Sequence, residues 1–188
     1  MNIKKTLPFA VIAVIVIGIV VAMTAGNTDK ASAAFLEKYE LANLDIKAVV
    51  SKLDSSIEEP AELSSSITGT QLTLTDGNET VKLDLPKDEF YLSFAPYLTQ
   101  THPCGFHSLS SCRGELVNAT VQAKITDSKG SVVLDETLIT MANGFVGVWL
   151  PKGIDATIQV SLDGKTATAP ISTRADSETC LTEPLKLN

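Results

Sequence analysis

FVGVWLPKGIDATIQVSLDGKTATAPIS, residues 145–172, contains three short segments rich in apolar residues, and in the last two of them apolar and polar side chains alternate. The turn sequences PKG (151–153) and DG (163–164) separate these segments. Alternation with a period of two indicates β-strands that bury one face. Short strands separated by such turns are typical of a β-sandwich. The stretch therefore predicts that the C-terminal part of the chain is a β-sandwich.

The same pattern continues on the N-terminal side of this stretch. Candidate strands cover residues 90–98, 115–126 and 131–141, and the turn sequence DSKG (127–130) separates the last two. Turn signals that recur about every ten residues agree with a sandwich of short strands. We therefore expect β-structure from residue 87 onward.

The chain before residue 87 has a different periodicity. Apolar residues recur at three- and four-residue spacing across residues 28–58, which predicts helix, and Asn43 and Asp45 indicate a break into two helices. Residues 71–85 then alternate around the glycine-containing turn DGN and predict a β-hairpin. The expected fold class is α+β: an N-terminal helical segment with a β-hairpin, followed by a C-terminal β-sandwich that carries a cysteine- and histidine-containing loop.

The first residues have the composition of an export sequence. Lys4 and Lys5 precede an uncharged apolar run over residues 7–23, and small residues follow it. This order is typical of a signal peptide, and the run is at the short edge of the length, about 20 residues, that spans a bilayer. We expect the rest of the chain to lie outside the cytoplasm. The expected domains are a signal peptide or membrane anchor (1–26), a helix-plus-hairpin region (27–86) and a β-rich metal-binding domain (87–188).

The net charge excludes some classes of partner. Removal of residues 1–26 takes away two of the 15 basic residues and none of the 22 acidic residues, so the remainder carries a net charge of −9. This charge argues against nucleic acid and anionic membrane surfaces as partners. It suits cations, and solubility alone also accounts for it.

The stretch THPCGFHSLSSC, residues 101–112, contains both histidines of the chain and two of its three cysteines. Its spacing is His-x-Cys-x2-His-x4-Cys, from His102 to Cys112, and Cys180 is the third cysteine. The stretch lies in a connection of about fifteen residues between predicted strands, and connections of that length in compact domains are usually functional or disordered. Pro103 and the cysteines favour an ordered loop. The loop therefore predicts a metal site.

Several assignments of this site remain open from the residues alone. Thiolate favours Cu(I), zinc and iron–sulfur clusters, and imidazole suits copper and zinc. Three cysteines are too few for a cubane cluster, and zinc is less favoured because no Cys-x2–4-Cys pair is present. A blue-copper site, with Met141 as axial ligand, normally draws its histidines from separate parts of a chain. The cysteines could also form one disulfide and leave one free thiol.

The loop resembles a known family. The run Thr101-His102-Pro103-Cys104-x2-His107-Ser108-Leu109-Ser110-x-Cys112-x-Gly114-Glu115, with Cys180 placed 68 positions after Cys112, is similar to the signature of the CueP family of periplasmic copper-binding proteins. The resemblance extends from about residue 35 to the end of the chain.

This resemblance implies a copper carrier outside the cytoplasm that binds Cu(I), can reduce Cu(II) to Cu(I), and delivers copper to a client such as Cu/Zn superoxide dismutase. It implies that Cys104, Cys112 and Cys180 are thiolate ligands and electron donors, and that His107 and His102 assist in capturing Cu(II). It also implies a homodimer formed through the N-terminal region. Repeated reduction requires a thiol–disulfide reductant as a further partner.

Two alternatives from other classes follow from the same residues. A thiol-dependent Cu(II) reductase or oxidoreductase with turnover is disfavoured because no Cys-x2-Cys dithiol is present. A disulfide-stapled or zinc-binding domain is the other. For a shared site, Cys180 must lie within disulfide reach, about 7 Å between Cα atoms, of Cys104 or Cys112, with His107 directed at the same cluster. We expect the tail after Ser172 to supply ligands and little apolar core.

Overall fold

The computed structural model describes residues 30–57, 62–77 and 79–188. The expected signal or anchor, residues 1–26, lies outside the described residues. The chain divides into two units, Met1–Asn43 and Leu44–Asn188. In the first unit residues 30–38 are helical (α1). None of the helices within the described ranges has the length and apolar character needed to cross a membrane.

The second unit begins with helix α2, Ile46–Ser55. Asp45 caps this helix, because its side chain accepts a hydrogen bond of 2.8 Å from the backbone N–H of Ala48. The predicted break between two helices at Asn43 and Asp45 is confirmed. The buried face of α2 carries three apolar side chains and also Asp54.

A small antiparallel sheet follows, with the strand order β1-β2-β3. Its strands are Ser64–Ile67 (β1), Gln71–Thr75 (β2) and Thr80–Asp84 (β3). The predicted hairpin over residues 71–85 is therefore confirmed, although Asn78 of its turn lies outside the described residues. Strand β1 was not predicted, since three of its four residues are serines.

The remaining strands form two further sheets, with the orders β10-β4-β7 and β6-β5-β8-β9. These strands are Glu89–Phe94 (β4), Thr120–Asp127 (β5), Val132–Ile139 (β6), Val146–Pro151 (β7), Asp155–Leu162 (β8), Lys165–Ser172 (β9) and Cys180–Leu181 (β10). Apolar side chains of both sheets form one core cluster. The expected mixed α+β class is confirmed, and most of the body is β-structure.

Two expectations are wrong. The strand expected over residues 115–126 begins only at Thr120, because Asn118 has a φ of 53°, which an extended strand cannot accommodate. The tail after Ser172 supplies more than ligands. Its residues Leu185 and Leu187 are 0% and 2% exposed and belong to the core cluster shared by the two sheets.

Candidate metal centre

Glu115 joins the two ends of the loop that contains Cys104 and Cys112. The carboxylate accepts hydrogen bonds from the backbone N–H groups of Leu98 (2.6 Å) and Thr99 (3.0 Å), and from the Thr99 hydroxyl. These bonds lower the pKa of Glu115 to about 2. The carboxylate therefore stays charged at neutral pH, and the two ends stay joined.

A second closure holds the far side of the loop against the turn between β6 and β7. The N–H of Gly114 donates to the carbonyl of Asn143 at 2.7 Å. A Cβ atom on Gly114 would lie 2.5 Å from the carbonyl oxygen of Gly144, so only glycine permits this approach. This close approach of the two backbones brings Asn143 and Phe145 toward the loop.

Backbone contacts from two distant segments hold His107. The N–H of Ile67, at the end of β1, donates to the His107 carbonyl at 2.9 Å. The N–H of His107 donates to the Thr179 hydroxyl at 3.0 Å, and that hydroxyl donates to the Ile67 carbonyl at 2.7 Å. His107 is fully buried as a result.

The tail brings Cys180 to the loop through β10. This strand pairs in parallel with β4, with Cys180 opposite Ser93. The carbonyl of Gly105 accepts hydrogen bonds from the N–H groups of Thr179 (2.9 Å) and Cys180 (3.0 Å). Because Gly105 follows Cys104, these bonds place the two cysteines side by side.

The four side chains of Cys104, His107, Cys112 and Cys180 have ligand atoms that all lie within 4.8 Å of one another. Cys104 and Cys180 form a disulfide with Cα atoms 5.5 Å apart, and Cys112 has a free thiol. The sulfur atoms of Cys104 and Cys112 are 3.5 Å apart, and Nδ1 of His107 is 3.6 Å from the sulfur of Cys180. The predicted closeness of Cys180 and His107 to the loop cysteines is confirmed.

His102 lies beside this group of four described side chains rather than within it. Its side chain lowers the pKa of the Cys112 thiol. The Thr182 hydroxyl donates to the His102 carbonyl at 2.7 Å. His102 therefore influences Cys112 from outside the group of four.

Apolar side chains line one side of the cluster. Ala95 and Phe145 are buried against Cys112 and Cys180, and Met141 and Cys104 pack there half-buried. The Phe145 ring centroid is 4.6 Å from that of His107. This wall lowers the local polarity around the sulfur atoms.

Sequence reasoning missed Asp54, which is fully buried on α2. Its Oδ1 is 2.7 Å from Nε2 of His107 and accepts a hydrogen bond of 2.9 Å from the Asn143 amide. Its Oδ2 accepts hydrogen bonds from the hydroxyls of Tyr91 (2.5 Å) and Ser93 (3.4 Å). The available signal was an acidic residue four positions after Val50, on the apolar face of the predicted helix.

Burial and hydrogen bonding oppose each other in the electrostatics of the cluster. Burial by itself lowers the pKa of His107, but hydrogen bonds to Asp54 and Cys112 outweigh it and raise that pKa to about 9. Burial raises the pKa of Cys112, but hydrogen bonds from His107 and His102 outweigh it and lower that pKa to about 7. Burial and the charge of Asp54 raise the pKa of Tyr91 well above its usual value. These opposite shifts favour a thiolate on Cys112 and an imidazolium on His107 near neutral pH.

The Cys112 thiol in the oxidised protein is expected to ionise with a midpoint of about 7 instead of the ordinary 9.0. The thiolate then predominates above that pH, and its ultraviolet absorbance measures it. His107→Gln removes the imidazolium and should raise the midpoint, and His102→Gln should raise it less. A midpoint at the ordinary value in the unmodified protein would contradict the ion pair.

Three sulfur atoms and one imidazole nitrogen around a single buried point define a class of protein: an α+β protein that can hold a soft metal ion. The comparisons make that class specific. The family model described as "Periplasmic copper-binding protein CueP" matches residues 48–185, and the chain belongs to this family. The resemblance of the loop to that family is confirmed.

A solved structure supports the same assignment. The structure described as "Crystal Structure of S.CueP" is 46% identical to this chain, with a TM-score of 0.79, and the match covers 83% of this chain and 96% of that chain. A search of curated proteins found no match.

Proposed function

We propose that this protein is an extracytoplasmic copper carrier that binds Cu(I) through the thiolates of Cys104, Cys112 and Cys180. The observation that carries the proposal is the convergence of these sulfurs and Nδ1 of His107 within 4.8 Å. Cu(I) is soft and prefers thiolate, and the apolar wall excludes competing water. His107 is the nitrogen donor, and His102 assists in the first capture of Cu(II), which accepts imidazole.

The same cysteines supply electrons. Two thiolates that join as a disulfide release two electrons, which convert two Cu(II) ions to two Cu(I) ions. Cys104 and Cys180 are suited to form that disulfide, because the structure pairs them with Cα atoms 5.5 Å apart. Cys112 then remains as one thiolate, so a three-thiolate site requires prior reduction of the disulfide. A thiol–disulfide reductant is therefore a partner, and the reduction of copper is stoichiometric without it.

We further propose where the bound copper goes and what each region of the chain does. The bound Cu(I) passes to a client such as Cu/Zn superoxide dismutase, and the N-terminal region forms a homodimer. Residues 1–26 act as a signal peptide or anchor, residues 27–86 as the helical and hairpin region, and residues 87–188 as a β-sandwich that carries the metal loop. N-terminal sequencing of the exported protein distinguishes cleavage of residues 1–26 from their retention.

Anaerobic titration of Cu(I) against a chelator of known affinity tests the carrier function. The fully reduced protein is expected to withdraw one Cu(I) from the chelator, and the oxidised protein to compete far less because two thiolates are lost. Reduced protein given excess Cu(II) should yield two Cu(I) and one disulfide per chain, and then stop. Continued Cu(I) production without an added reductant indicates the oxidoreductase instead, and no Cu(I) uptake by the reduced protein overturns the carrier.

Zinc is the second candidate, because three cysteines and one histidine within 4.8 Å also match a structural zinc set. The same chelator competition with Zn(II) separates the two. A zinc protein should withdraw Zn(II) from the chelator, whereas a copper carrier should leave Zn(II) with the chelator and withdraw Cu(I).

A further inference from the structure

We propose that Asp54 is a positioning residue for copper binding: its buried carboxylate holds Nε2–H of His107 and thereby presents Nδ1 of that ring to the three sulfurs. The inference rests on the copper-binding function proposed above. The ligands come from the loop and the tail. Asp54 lies on helix α2 and supports one of those ligands without being one itself.

The hydrogen-bond pattern of Asp54 determines which nitrogen of His107 faces the metal. Four side-chain donors surround the carboxylate: the amide of Asn143, the hydroxyls of Tyr91 and Ser93, and the ring of His107. An ionised carboxylate only accepts hydrogen bonds, so Nε2 must carry a proton. Once the ring carries a single proton, as it must to bind a metal ion, that proton is on Nε2 and Nδ1 has the free lone pair. That atom is the one located 3.6 Å from the sulfur of Cys180.

The ring has little freedom to reverse this arrangement. His107 and Asp54 are both 0% exposed, and the Phe145 ring is in contact with the imidazole at 4.6 Å. Turning the ring over would remove the Nε2–H donor from Asp54 and leave a buried carboxylate oxygen with one donor fewer, which is costly. The carboxylate therefore selects the tautomer and the orientation together.

A purely structural role for Asp54 is the competing explanation, since the residue also joins α2 to β4. The carboxylate is also not the sole attachment of this residue, because the Asn143 amide, in the turn between β6 and β7, donates to the backbone carbonyl of Asp54 at 2.5 Å. Asp54→Asn separates the two roles. The amide keeps the shape of the side chain, but either its oxygen or its nitrogen can face His107. It no longer requires a proton on Nε2, because the amide nitrogen can donate to Nε2 and leave the proton on Nδ1. The variant also removes the negative charge that strengthens the Nε2–H hydrogen bond.

The first experiment measures Cu(I) affinity by chelator competition on the reduced full chain. Partners of this kind behind a metal-bound histidine typically contribute about 10–100-fold in metal affinity, and we expect a loss in that range for Asp54→Asn. In a His107→Gln background the same substitution should have no further effect, because Asp54 acts only through the ring. Asp163→Asn, in an exposed turn where asparagine is well tolerated, removes an equal charge and should leave the affinity unchanged.

The second experiment needs no substitution, so it holds even where Asp54→Asn folds poorly. Nitrogen-15 NMR of the Cu(I)-loaded protein should show Nε2 of His107 protonated and Nδ1 shifted by the metal, relative to the reduced, copper-free protein. Metal coordination through Nε2, or no shift at either nitrogen of His107, overturns the inference. So does an Asp54→Asn protein that is folded and binds Cu(I) as tightly as the unmodified chain. Failure of the unmodified reduced chain to bind Cu(I) at all counts instead against the proposed function.

Discussion

Cys180→Ser is expected to weaken Cu(I) binding by more than about 100-fold, because loss of a ligand should exceed the 10–100-fold typical of residues that only support a ligand. The hydroxyl of serine is a hard, neutral donor that Cu(I) does not favour. Cys180 reaches the site through the pairing of β10 with β4 and through its N–H bond to the Gly105 carbonyl, and its sulfur adjoins both Cys104 and His107. Chelator competition on reduced proteins measures the effect without interference from the disulfide.

The matched comparisons lie in the same loop. Cys104→Ser and Cys112→Ser should show losses similar to that of Cys180→Ser, since each removes one of three thiolates. His102→Ala should cost much less affinity, because His102 lies outside the group of four ligand atoms. Wild-type Cu(I) affinity in Cys180→Ser would show that the three-thiolate site is wrong.

Deletion of residues 173–188 is expected to abolish cooperative folding of the second unit. The tail contributes strand β10, and Leu185 and Leu187 are buried in the core shared by the sheets β10-β4-β7 and β6-β5-β8-β9. Backbone hydrogen bonds also tie it to Tyr97, whose N–H donates to Leu185 at 3.1 Å and whose carbonyl accepts from Leu187 at 2.8 Å. A buried leucine replaced by alanine typically costs about 2–5 kcal/mol, and a whole domain is stable by only about 5–15 kcal/mol.

A milder test uses single substitutions in the full chain. Leu185→Ala and Leu187→Ala should each lower the free energy of unfolding by about 2–5 kcal/mol in chemical denaturation of the copper-free, reduced protein. Lys186→Ala lies between them at an exposed position and should change it little. Equal stability of all three variants would mean that the tail adds only ligands.

The strands with clear alternation were predictable from the sequence, and so was the helix break. In β8 and β9, Asp155–Leu162 and Lys165–Ser172, every second side chain faces the core, so the pattern of polarity reports directly which face is buried. Asp45 is a favoured capping residue, and it starts α2 where the sequence places the break. Strand β1 lacked this signal, because its serines are polar on both faces.

The metal loop, too, was predictable only in part. The sequence itself shows that both histidines and two of the three cysteines lie within residues 101–112. This cluster is enough to indicate the loop, the family that it resembles and the soft-metal chemistry. The sequence could not decide which two cysteines pair. The pairing follows from a contact between distant segments. The carbonyl of Gly105 accepts hydrogen bonds from the N–H groups of Thr179 and Cys180, which lie more than 70 positions further along the chain.

The sequence by itself determined the α+β class, the alternating strands and the chemical nature of the loop, because each of these depends on residues close together in the chain. Only the tertiary structure decided three features: the tail completes the core, Cys104 pairs with Cys180, and Asp54 is hydrogen-bonded to His107. Asp54 and His107 are separated by 53 positions. Their hydrogen bond exists because helix α2, strand β4 and the loop pack against one another, and a pattern of local polarity does not record which distant segments will meet.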